Sequence, residues 1–217
     1  MRQFDTSLQE VKHLLLDMGG ELEVAIDKAV RSLARMDEDM ARDVLNNDPA
    51  IDAMEDRLDE KVATLIATQQ PVAKDLRKLI AALKIGSDME RMADLACNIA
   101  EVTLHFKKNR LKLFKELEDI PEMARITQNM VHDGINSFID GNVELAKKMA
   151  ETDDVVDRKY ESIVKELLEY MIQQQQFTEE ALRLSFVARY LERIADHATN
   201  IAESIVYIET GKREDLN

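Results

Sequence analysis

The chain has 217 residues, with 29 Lys plus Arg against 43 Asp plus Glu, for a formal net charge of −14. That balance disfavours nonspecific binding to nucleic acid or anionic lipid and suits metal cations or a basic protein partner. Hydrophobic residues make up 45% of the chain, enough for a sizeable core, while 6 Gly, 3 Pro and no Trp favour long helices over a sheet. A single cysteine, Cys97, precludes an internal disulfide and agrees with a reducing cytoplasm. Met1 to Ser7 contains no continuous apolar run of the kind a secretion signal carries, and no segment approaches the length of a membrane span.

In chain order, Leu8, Val11, Leu15, Met18, Leu22, Ile26, Val30 and Leu33 recur at steps of three and four, predicting a helix from Phe4 to about Met36. Gly19-Gly20 inside it marks either a bend or a close helix contact. A short helix is expected over 37–47, broken by Asn46-Asn47-Asp48-Pro49. A second long helix runs from Ile51 to about Gln69, and a third from Ala73 to about Phe106, ending on the basic run Lys107-Lys108-Asn109-Arg110. The order then repeats. Residues 18–66 map onto 123–171 at an offset of 105, pairing Leu33 with Phe138, Asp48 with Asp153, Ile51 with Val156 and Asp52 with Asp157. The third helix repeats at an offset of 102, and the junction lies near Leu113 to Pro121. These patterns predict an all-α protein of six long helices in two tandem, similar three-helix bundles, 1–112 and 113–217.

The duplication is clearest on the third helix of each copy. Glu90-Arg-Met-Ala-Asp94-Leu-Ala-Cys-Asn98-Ile-Ala-Glu101 matches Glu192-Arg-Ile-Ala-Asp196-His-Ala-Thr-Asn200-Ile-Ala-Glu203 without a gap, with 9 of 12 positions identical. At about 100° per residue, Glu90, Asp94, Asn98 and Glu101 fall within an arc of roughly 80°. The opposite side is an apolar seam, Ile85 to Phe106 in the first copy and Val187 to Ile208 in the second, that would pack on partner helices. Each copy is thus expected to be a core-packed helix with a carboxylate stripe on its outer face. Such a stripe is either a solvated acidic surface or a cation site. Retention of Glu, Asp, Asn and Glu together in both copies favours the cation, because stacked carboxylates raise one another's pKa unless positive charge intervenes. Asp52 and Asp56 on the second helix, with Asp157 and Glu161 in the second copy, either compensate a helix dipole or face the stripe and complete the site.

Other chemistry finds little support. There is no phosphate-binding glycine loop, no cysteine pair for zinc and no His-Glu-x-x-His. Glu10-Val-Lys-His13 is a lone Glu-x-x-His without a counterpart in the second half. His197 sits beside Asp196 where the first copy has Leu95, and is expected at the surface rather than as a ligand. Cys97 is expected to be a small packing residue. No catalytic residues are assigned.

The doubled Glu-Arg-x-Ala-Asp-x-Ala-x-Asn-Ile-Ala-Glu resembles the PhoU family, marked by a Glu/Asp-x-x-x-Asp motif in each of two three-helix repeats. The likeness covers essentially the whole chain. It implies a cytoplasmic regulator of phosphate uptake and of the phosphate-starvation response, not an enzyme, that favours the repressed state when phosphate is ample. It also implies partners, namely the ATPase subunit of the phosphate ABC transporter and a phosphate-sensing membrane histidine kinase, and association as a homodimer. Multinuclear iron or zinc is implied on the acidic faces, with Glu90, Asp94, Glu192 and Asp196 as first ligands, then Asn98, Glu101, Asn200 and Glu203; Asp52, Asp56, Asp157 and Glu161 follow as third candidates, resting on the helix-face argument more than on the motif. The rival readings are a metal-dependent hydrolase using the carboxylate site and a metal-free helical adaptor.

Overall fold

The structure, a computed structural model, describes residues 3–216. It contains α1 (Gln3–Arg35), α2 (Glu38–Gln69), α3 (Ala73–Asn109), α4 (Asp119–Asp140), α5 (Val143–Ala150), α6 (Asp153–Gln173) and α7 (Thr178–Thr210), with one 3-10 turn at Gln175–Phe177 and no strand among the described residues. The consecutive α5 and α6 are together the counterpart of α2, so the all-α architecture of six long helical rods is as the sequence predicts.

The expected break at Asn46–Pro49 does not end a helix, because α2 runs through Pro49. Proline removes one backbone hydrogen bond and costs about 3 kcal/mol in a helix interior. Ala41 and Val44 before it, and Ile51 and Leu58 after it, are all buried in the same core, and that shared burial holds the two segments in line. The second copy lacks the proline yet pauses at the same place. Glu151 and Thr152 keep right-handed dihedrals (φ −59° and −74°), so the pause is a slight distortion rather than a loop.

The turn between the first two helices is conserved between the copies in chemistry. Met36 (φ 52°) and Gly141 (φ 68°) each adopt the left-handed conformation that stops a helix. Asp37 and Asn142 then cap the next one, accepting from Met40 N and Leu145 N at 3.0 Å.

α1, α2 and α3 pack together, as do α4, α5, α6 and α7. The two halves are also joined to each other, α3 against α7 and α1 against α4, and their buried residues form one continuous core. Both cross-pairs are antiparallel. Along α3 and α7, Lys74 meets Glu209 at 2.6 Å, Asp88 meets His197 at 2.8 Å and His105 meets Glu179 at 2.8 Å. Along α1 and α4, Lys12 donates to the Ile139 carbonyl and Gln128 to the Glu23 carbonyl. The copies are therefore related by an approximate twofold axis across the helices, which exchanges the two ends of the molecule. Gly19 serves this crossing, since a Cβ there would lie 2.2 Å from Ile135 Cδ1. α1 stays a single helix through both glycines, so close contact rather than a bend explains Gly19. No helix among the described residues is long and apolar enough to cross a membrane.

Candidate functional site

The predicted seams are buried along their whole length, from Ile85 to Phe106 and from Val187 to Ile208. Because α3 and α7 lie at the centre of the molecule, burial spreads beyond the seam. Glu192 is only 9% exposed and Asp196 is half-buried, so the acidic stripe of the second copy is not the outer face the sequence suggested. Glu90 is half-buried and Asp94 exposed, so the first copy is the more open of the two.

In the second copy, the helical periodicity of α6 sets Asp153 and Asp157 one turn apart, facing Glu192 and Asp196 on α7. Asp153 is 7% exposed, and its carboxyl is pushed up to about 6, first by burial, then by the charges of Asp157 and Asp196. Glu192 is pushed up to about 7 by burial and then by Asp196, against the pull of Arg189, whose guanidinium lies 2.5 Å from Glu192 Oε1. Asp196 is raised by burial and by Asp157. Two oxygens of this cluster, Asp153 Oδ1 and Glu192 Oε2, are buried with no hydrogen-bond partner among the described residues. An orphaned buried carboxylate oxygen is costly and rare, and two on facing helices in one acidic cluster are what a missing cation would leave.

The first copy repeats the arrangement on α2 and α3. Glu90 is raised by burial, then by Asp94, Glu55 and Asp52. Asp48, the equivalent of Asp153, is raised by burial and by Asp52 and Asp94, while a hydrogen bond from Cys97 pulls it down. Cys97 stands where the second copy has Thr199, and Thr199 likewise bonds Asp153. Burial and these acids push the Cys97 thiol up to about 12, so it packs and donates but is not a nucleophile.

The structure thus brings Asp52 to Glu90 and Asp48, and Asp157 to Glu192 and Asp196. Asp56 bears on Glu55 rather than on the stripe, and Glu161 is exposed on α6. Glu101 is exposed and acts on Cys97, and Asn98 is half-buried. Asn200 and Glu203 turn away from the acids. Asn200 Nδ2 donates to Asp88 on α3 at 3.2 Å, and Glu203 accepts from Leu216 N at 3.1 Å. His197 is not the surface residue expected, being 13% exposed with Nδ1 2.8 Å from the equally buried Asp88. The α3–α7 crossing encloses it, an inter-copy contact that periodicity within one helix cannot reveal. Glu10 is occupied by Lys61, which leaves no Glu-x-x-His site there.

Asp48 and Asp153 are the members that the candidate set lacked. Their signal was present, since each lies four residues before Asp52 or Asp157 and they pair at the same offset of 105. Carboxylates are a hard donor set that suits divalent and trivalent cations. Among the described residues, no group of three or more His, Cys, Asp or Glu side chains is gathered tightly enough to hold an ion as it stands. The donor chemistry and the two orphaned oxygens fit a cation, and holding one requires these side chains to swing inward.

A PhoU domain model matches residues 15–103 and again 120–205, once for each copy. The chain belongs to the PhoU family. Among its PhoU relatives, the phosphate-specific transport system accessory protein PhoU homolog of Clostridium acetobutylicum is 36% identical over 99% of this chain and 97% of that protein. Homolog 1 of Thermotoga maritima is 37% identical over 87% of this chain and 81% of its own. The crystal structure of PhoU from Pseudomonas aeruginosa superposes with a TM-score of 0.89 at 32% identity, covering 97% of this chain and all of that one. The phosphate transport system regulatory protein PhoU from Streptococcus pneumoniae gives 0.90 at 31% identity, covering 98% of this chain.

Proposed function

We propose that this protein regulates phosphate uptake by contact with the ATPase subunit of a phosphate ABC transporter and with a phosphate-sensing histidine kinase, working in the cytoplasm as a homodimer and restraining the starvation response when phosphate is ample. What supports this reading is likeness over nearly the full length to relatives that are accessory proteins of phosphate-specific transport.

The acidic clusters are read as metal sites. Asp153, Asp157, Glu192 and Asp196 would hold a cation in the second copy, and Asp48, Asp52, Glu90 and Asp94 in the first, with iron or zinc as the ions the family suggests. A bound cation would supply the positive charge that lets these carboxylates ionise together. The chain's own contribution is to fix the acids on rigid helices and to bury Asp153 and Glu192, so that their ionisation depends on what binds.

The test is capture of partners by the tagged full-length protein from native lysate in high and low phosphate. The transporter ATPase and a histidine kinase should be recovered, in amounts that change with phosphate. Recovery of neither, in either condition, would contradict the regulatory reading.

A further inference from the structure

The approximate twofold axis makes the two ends of the molecule equivalent in helix arrangement, yet they are finished differently. At one end the connection between α3 and α4 folds over the core, with Leu111, Leu113, Phe114 and Leu117 packed against it. At the other end, where α1 and α3 begin and α4 and α7 finish, a cavity of about 860 Å³ is left. Its apolar wall is made by Leu8, Phe138, Ile205 and Ile208. Its basic groups are Lys12, Lys74 and Lys78.

Three lysines in one cavity run against the composition of a chain with net charge −14. Lys12 is half-buried, yet its ammonium donates to a backbone carbonyl, that of Ile139, rather than to a carboxylate. Burial first, and then the repulsion of Lys78, lowers the Lys12 pKa against the attraction of Asp140. The acids of the cavity do not cancel this. Glu209 is already paired with Lys74, and Asp140 and Glu144 are exposed at the rim, where water screens them. Among the described residues Lys78 pairs with Asp75 alone, at 3.2 Å. Two neighbouring ammonium groups without a shared counter-ion, over an aromatic and aliphatic wall, suit a molecule that carries a polyanion at one end and a flat apolar body at the other. The volume lies in the range that encloses a drug-sized ligand and is far larger than free phosphate needs.

We propose that this cavity binds a nucleoside di- or triphosphate, with its phosphoryl oxygens on Lys12 and Lys78 and its base against the wall of Phe138 and Ile205. The inference deepens the regulatory reading, since a nucleotide would give a regulator of phosphate uptake a phosphate-linked input. Binding is read without any transporter, so its failure leaves the partner contacts standing, and failure of those contacts leaves binding standing.

The experiment is calorimetric titration of the full-length protein with ADP and with GDP, in EDTA so that no metal on the acidic clusters can mediate contact. Saturable binding to one site is expected. Lys12→Met and Lys78→Met should each weaken it at least tenfold, while Lys112→Met, in the connection at the opposite end, leaves it unchanged. Adenosine and inorganic phosphate should each bind at least tenfold more weakly than ADP, which separates a nucleotide from free phosphate. Lys78 is 30% exposed, so Lys78→Met carries the test even where Lys12→Met disturbs folding. Absence of saturable binding by both nucleotides, full affinity in Lys78→Met, or phosphate binding as tightly as ADP would overturn the proposal.

Discussion

Glu192 links burial to charge most directly. Its folded-state pKa of about 7 lies above the ordinary 4.5, so the folded chain holds the proton more tightly than the unfolded one. Stability from this group is therefore fully present below about 4.5 and is lost as pH rises through about 7. Asp153, raised from 3.8 to about 6, adds to the same trend. In EDTA, Glu192→Gln should raise the unfolding free energy at pH 8 by on the order of 2 kcal/mol and by much less at pH 5. Urea denaturation at both pH values measures this, and an equal effect at both would show that Glu192 is not held out of its ordinary range. At this scale the sequence was informative about identity and poor about environment. The four motif acids were legible from the repeat. The burial of Glu192 was not, because it follows from α7 lying between α3 and α6.

At the scale of the element, the helices follow their apolar periodicity closely, and the deviations come from packing. The break expected at Pro49 is overridden because the residues on both sides share one core. Gly19 and Gly20 show the same point in two neighbouring residues. Gly19 is buried and admits Ile135, whereas nothing lies within 4 Å of a Cβ on the exposed Gly20. Gly20→Ala should stabilise the protein by about 0.5–1 kcal/mol through helix propensity. Gly19→Val should destabilise it by about 1–3 kcal/mol, because the added groups overpack the crossing of α1 and α4. Thermal unfolding of the two variants reads both signs. A stabilising Gly19→Val would mean that the crossing is looser than described. Sequence alone left both glycines ambiguous, since which one faces a partner depends on the second half of the chain.

For the whole molecule, the tandem copy and its offsets were legible in the sequence, and the way the copies meet was not. Two separable bundles and one fused core have the same helical periodicity. The antiparallel pairing of α3 with α7 fuses the core, encloses His197 against Asp88 and draws Asn200 away from the acidic stripe. It also places the two carboxylate clusters in related positions about one axis, each between the second and third rods of its own copy. The central claim is that these clusters hold cations. Its most direct measurement is the Tm of the wild type and of Asp94→Asn/Asp196→Asn during titration with zinc, beside sodium chloride at matched ionic strength. At a hundredfold excess over Kd, binding to the folded state alone adds about 2.7 kcal/mol, or roughly 5–10 °C in a chain of this size. With cations held by the clusters, wild type shows that rise, the double variant loses it, and the variant has a slightly higher metal-free Tm as repulsion is relieved. A double variant that keeps the full response, or a sodium chloride control that stabilises as well as zinc, would contradict it.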